Sequence, residues 1–155
     1  MYSLLLPLHS LVRWLVLAGL LFAIYRAYRG KTKKLPYTQF DDRVRHITTT
    51  IVHIQFMIGA GLYFVSPIVN YFLTNFKEAV HLREIRFFGM EHIAMMVVAV
   101  TVISIGSAKA KRKDTDNAKF KTQLVWLTIG LIIILTSIPW PFSPLVHRPW
   151  LTPLF

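Results

Sequence analysis

From residue 86 to residue 112 the chain reads RFFGMEHIAMMVVAVTVISIGSAKAKR. It is apolar for about the length that crosses a bilayer, roughly 20 residues of helix. Three further apolar runs accompany it, around PLHSLVRWLVLAGLL, HITTTIVHIQFMIGAGLYF and residues 124–139, and short basic loops separate them. The bulk numbers carry the same signature. A hydrophobic share of 54% and a mean hydropathy of +0.48 coexist with a net charge of +11, a combination that a soluble basic domain rarely holds. Alternation of apolar runs and basic loops is the layout of a polytopic membrane protein. The basic residues are therefore expected to set topology and to meet anionic headgroups of the lipid bilayer. No helix-turn-helix, zinc-finger or RNP-like pattern supports a nucleic-acid partner.

The spans are expected at about 4–27, 45–65, 87–108 and 124–139. Pro7 falls in the first turn of span one, where a missing N–H costs little. The N-terminus lacks a basic n-region and no small-residue cleavage site follows its apolar run, so an uncleaved first span is expected. Residues 68–86 differ in kind. Val69, Phe72, Leu73, Phe76 and Val80 recur at helical spacing, with Lys77, Glu78, His81 and Glu84 elsewhere, which predicts one amphipathic interfacial helix. His81 and His147 are expected at solvated, interfacial positions. The first and third inter-span loops carry thirteen Lys and Arg residues, against four on the opposite side. The positive-inside rule then places both basic loops in the cytoplasm and both termini outside, in a bacterial inner membrane. The expected fold is all-α: one domain over 1–155, an up-and-down four-helix bundle.

The absence of cysteine excludes disulfides, iron–sulfur clusters held by thiolates, Cys-based zinc sites and covalent haem attachment. Any cofactor must be held by His, Met, carboxylate or backbone. Ionisable groups at membrane depth mark sites by default, and the candidates are few. His9 and His92 each lie about one turn from the outer end of their spans, at a shared level. Spans one and three are diagonal in such a bundle, so both imidazoles can face one axial cavity. His53 lies deeper in span two, with His46 on the same helical face near the inner edge. Arg13 follows His9 by one turn and suits an anion, a quinone carbonyl, or an ion pair with Glu91. Gly59, Gly61 and Gly89 leave room for a flat macrocycle or a close helix, and Phe56, Phe64, Phe87 and Phe88 supply aromatic edges.

Two neutral imidazoles facing across a bundle without a thiol suit b-type haem. PLHSLVRW at the start, a His inside span two and a Gly-x-x-His inside span three make the chain resemble the small bacterial four-helix cytochrome b proteins, the b561-like group. The resemblance covers the four-span layout of nearly the whole chain. It implies non-covalent haem b and electron exchange with a membrane quinone. It also carries axial roles onto His9 and His92, with His53 as the alternative ligand and Glu91, His46, Gly59 and Gly89 around them. Two-haem members need four intramembrane histidines, whereas this chain offers three, so one haem is expected. A looser likeness to the four-helix, haem-dependent protoporphyrinogen oxidases carries no specific motif. Two readings without haem remain beside it. Met90, His92 and Met96 are soft donors that would suit Cu(I). Alternatively the protein is an accessory or assembly subunit of a larger respiratory or membrane complex, with an Arg13–Glu91 pair as glue, or with a proton path through His92, Arg13, His53 and His46. No acid–base or nucleophile constellation argues for an enzyme.

Overall fold

The computed structural model describes residues 1–143, 146 and 148–151. Seven α-helices and one π-helical turn make up the ordered elements, with no strand among the described residues. The long ones are α1 (Tyr2–Thr32), α2 (Gln39–Val65), α6 (His92–Lys111) and α7 (Asp116–Ser137). Together with the turns that precede α6, these give four helices long and apolar enough to cross a membrane. Helix α1 packs on α2 and α7, and α6 packs on α7 and α2. Neighbours along the chain run antiparallel, and α1 faces α6 across the diagonal.

The helices run past the apolar stretches because nothing in their flanking residues stops them. Arg26, Arg29 and Lys31 continue α1 as good helix formers. At its other end α1 starts at Tyr2, ahead of the expected residue 4, so Pro7 lies inside the helix rather than in its first turn. Helix α2 starts earlier than its apolar run because Thr38 and Asp41 form a reciprocal capping box. Asp41 is also buried and takes the Arg26 guanidinium at 2.7 Å, tying α1 to α2. Arg45 is buried beside it, bonded to Asp42 at 2.8 Å and to the Ser107 hydroxyl of α6 at 2.7 Å. Tyr37, between α1 and α2, packs on Phe120 of α7, and its hydroxyl accepts from Gln123 at 2.7 Å. Both basic loops therefore meet at one end of the bundle.

The region expected to be one amphipathic helix is divided. It forms α3 (Pro67–Thr74), α4 (Phe76–Ala79) and α5 (Arg83–Arg86). The breaks have local causes. Asn75 leaves helical geometry at φ −126°, ψ 42°, with its amide group returned to the Tyr71 carbonyl. Leu82 is extended at φ −88°, ψ 108°. Helix α5 then runs through the π turn at Phe87–Glu91 into α6.

Helix association inside lipid depends on close packing rather than on water exclusion, and small residues permit it. Trp126 of α7 sits where a side chain on Gly106 would be, and Ile103 of α6 does the same at Gly130. These two contacts make α6–α7 the tightest seam. The core clusters Leu20, Ile103 and Leu127, all essentially inaccessible. Toward the opposite end, between α1, α2 and α6, the packing opens.

Candidate functional site

The opening is a cavity of about 170 Å³ with a mainly apolar wall. Val16, Val52, Ala99 and Val100 close its deep end, and Tyr2, Leu6 and Tyr63 line its shallow one. His9, Arg13, Gln55 and His92 are among the polar side chains on its wall, with Ser10, Ser66 and Arg148. His9 and His92 stand across the diagonal with ring centroids 6.4 Å apart and planes at 80°.

Each imidazole is held by a different partner. His92 Nδ1 lies 2.9 Å from the carbonyl oxygen of Ser137, at the end of α7. A carbonyl only accepts, so Nδ1 carries the proton, and the neutral ring keeps its lone pair on Nε2. Phe87 and Phe88 flank this ring at 5.7 and 6.4 Å. His9 is embraced by α2. The Gln55 amide donates to the His9 carbonyl at 2.9 Å and lies 3.4 Å from His9 Nε2. Gly59, one turn on, removes the side chain that would press on the ring: a Cβ there would lie 3.0 Å from His9 Cε1. His9 Nδ1, Arg13 Nε and Gln55 Oε1 are buried and have no hydrogen-bond partner among the described residues. Such atoms are costly in an apolar surround unless something else completes them.

Arg13 does not pair with Glu91. Its Nη2 donates to the Trp150 carbonyl at 2.6 Å, and Trp14 Nε1 donates to the same oxygen at 3.2 Å. Trp14, Trp140 and Trp150 stack on one another beside this point. The tail thereby becomes a wall of the cavity through Pro139, Arg148 and Pro149. Glu91 is taken by Arg86 at 2.6 Å. Gly89 lies against Phe72 of α3, whose ring occupies the space of a side chain there.

The remaining sequence candidates lie elsewhere. His53 is exposed on the surface of the bundle and bonds the Ser104 hydroxyl of α6 at 2.7 Å. His46 and His81 are exposed as well. Phe56 and Phe88 line the cavity, whereas Phe64 is 86% exposed and turned away. Met96 reaches the cavity beside His92, while Met90 faces outward. No cluster of three His, Asp or Glu side chains occurs among the described residues. His147 lies outside them.

Three site residues were not legible as such. Gln55 is a polar residue inside an apolar run, four residues before Gly59, and that signal was available. Ser137 contributes only a carbonyl, which no side-chain pattern announces. Tyr63, whose hydroxyl donates to the Gly89 carbonyl at 2.9 Å, reads in sequence as an interfacial aromatic.

Fold and cavity together define the class: a multi-pass helical membrane protein, a bundle of four spans with a histidine-bearing cavity toward one end. No family model matches the chain, and no curated protein or solved structure matches it.

Proposed function

We propose that this protein is a b-type haem electron carrier of the bacterial inner membrane, with His9 and His92 as axial ligands and a membrane quinone as exchange partner. The observation that carries the reading is the paired imidazoles at one depth across an apolar cavity. A metal–imidazole bond is about 2 Å. At that length one ion could be held between two imidazoles, and the two ring centroids stand 6.4 Å apart. His92 keeps its lone pair on Nε2, and His9 Nδ1 is buried with no hydrogen-bond partner among the described residues. Ligation through His9 Nδ1 would need the ring proton on Nε2, turned from the Gln55 amide 3.4 Å away.

Bound between them, haem b would supply a site that gains and loses one electron. The chain's own residues do the rest. The Ser137 carbonyl fixes the His92 tautomer and raises the basicity of the ring, as outer partners of ligating histidines do. Gln55 and Gly59 hold His9 against α2 with space beside its ring. The apolar wall keeps water out, which favours the less charged oxidation state. Arg13 and Arg148 bring positive charge to the cavity wall, and the Arg13 Nε, without a partner among the described residues, is suited to a carboxylate or a quinone oxygen. In this scheme His53 lies outside the ligand set.

A second reading has its own observation. The His9–Gln55 and His92–Ser137 contacts both join neighbouring helices, so they would also serve a haem-free accessory subunit as interhelical glue. Optical spectra of the detergent-purified protein, oxidised and then dithionite-reduced, separate the two. The expected result is a low-spin haem b spectrum near one haem per chain, lost in His9→Ala and His92→Ala and kept in His53→Ala. A colourless protein from cells rich in haem overturns the carrier reading. His92→Ala would then act through stability alone.

A further inference from the structure

Immediately before His92 the helix widens. Residues Phe87–Glu91 form a π turn, and the His92 amide itself bonds the Phe87 carbonyl five residues back. Such turns are rare, and they are found mostly as single interruptions of α-helices at functional sites. In an α-helix, residues five apart point about 140° away from each other. In the i→i+5 pattern they come nearly into line. Arg86 and Glu91 are five apart and form a 2.6 Å ion pair, a contact that the wide turn permits and an α-helical turn would open. The turn is also gripped from the side. Tyr63 of α2 donates its hydroxyl to the Gly89 carbonyl, and Phe72 of α3 packs where Gly89 has no side chain.

We propose that Tyr63 is a positioning residue for His92. Its hydroxyl, with the Arg86–Glu91 pair, holds the π turn that lets α3 and α5 keep their packing while His92 faces His9. Without that hold the turn relaxes toward α-helical geometry, and residues 87–91 rotate about the helix axis relative to α6. Ser137 still draws His92 toward α7, so the strain falls on the angle of the ring in the cavity. The consequence for a cofactor rests on the haem reading; the conformational claim does not.

The test uses the full-length chain, which has no cysteine, so labels attach only where they are introduced. Nitroxides at Met57→Cys and Met90→Cys report the rotation, both positions being exposed and outside the cavity. In Tyr63→Phe, which removes only the hydroxyl, the inter-label distance distribution is expected to shift or split by on the order of 5 Å, the scale of a turn around a helix of this radius. Glu91→Gln is expected to move it the same way, and Tyr25→Phe, on an exposed face of α1, to leave it unchanged. In haem-loaded protein the low-spin electron paramagnetic resonance g-values should shift in Tyr63→Phe with haem content retained. An unaltered distance distribution in Tyr63→Phe overturns the proposal, whether or not the protein is coloured. A colourless protein whose distances shift overturns only the haem reading.

Discussion

Gly59 is where a single methyl group tells most about the cavity. A Cβ at this position would lie 3.0 Å from His9 Cε1 and 3.4 Å from Nδ1, nearer than side chains normally tolerate. Gln55 holds the His9 backbone from the same helix, so it is the ring, beside the cavity, that must give way. Gly59→Ala should therefore leave the bundle folded while displacing the imidazole. The expected outcome is a loss or red-to-blue redistribution of the low-spin haem bands at nearly unchanged melting temperature. Gly30→Ala is the opposite case. Phe120, among the largest fully buried side chains, fills the space over Gly30, and no cavity lies beside it to absorb the change. Overpacking of this kind costs about 1–3 kcal/mol, so thermal unfolding in detergent should move down while the haem spectrum of the folded fraction stays the same.

At the scale of elements, the start of α2 is the most heavily bonded helix end in the molecule. Thr38 and Asp41 satisfy each other's backbone amides, and the buried Asp41 carboxylate also takes Arg26. Thr38→Ala removes the cap and the hydroxyl bond to the Asp41 carboxylate and should cost about 1 kcal/mol. Asp41→Asn weakens a charge-assisted bond as well, and roughly 1–3 kcal/mol is expected, read in both cases by thermal unfolding. Tyr37, just outside this helix, adds a pH dependence. Burial, with the Asp42 carboxylate next in effect, pushes its hydroxyl above the ordinary phenol range. The contribution is fully present below the ordinary tyrosine value near 10 and is lost as pH rises through the elevated one, because the unfolded chain ionises first. Unfolding midpoints should accordingly fall above about pH 10, and less steeply in Tyr37→Phe. The existence of four long apolar helices could be read from the sequence because bilayer thickness sets their length. The outer end of span two at residue 65 is also where α2 stops, and Asp41 and Asp42 lie in its first turn. Helix α1, however, runs past residue 27 and α2 begins before residue 45, through residues that are polar yet helix-forming or well capped. The 68–86 stretch shows the same gap: its apolar spacing is helical, but Asn75 and Leu82 interrupt it. Depth likewise suggested that His9 and His92 share a level, while Gln55, Ser137 and Tyr63 depend on how each helix is rotated, which periodicity alone does not report. Arg13 and Glu91 match in depth and still find other partners, because Arg86 and the Trp150 carbonyl are closer at hand.

For the whole molecule, the distribution of charge and the position of the cavity make one connected claim. The basic loops meet where Tyr37 packs on Phe120, and the His9–His92 cavity lies toward the other end of the bundle. An inner leaflet with anionic lipids attracts each nearby Lys or Arg by about 1 kcal/mol, and thirteen of them gather at the loop end against four at the other. If this asymmetry sets the orientation, the cavity opens toward the outer half of the membrane, and the proposed exchange with quinone falls there. Because the chain has no cysteine, single substitutions give an unambiguous readout. Lys34→Cys and Lys113→Cys should resist a membrane-impermeant maleimide in intact cells whose outer membrane has been made permeable, and react after lysis. Lys77→Cys should react before lysis. Labelling of Lys34→Cys in intact cells would invert the orientation and move the proposed exchange with quinone to the cytoplasmic half, while leaving the assignment of the paired histidines untouched.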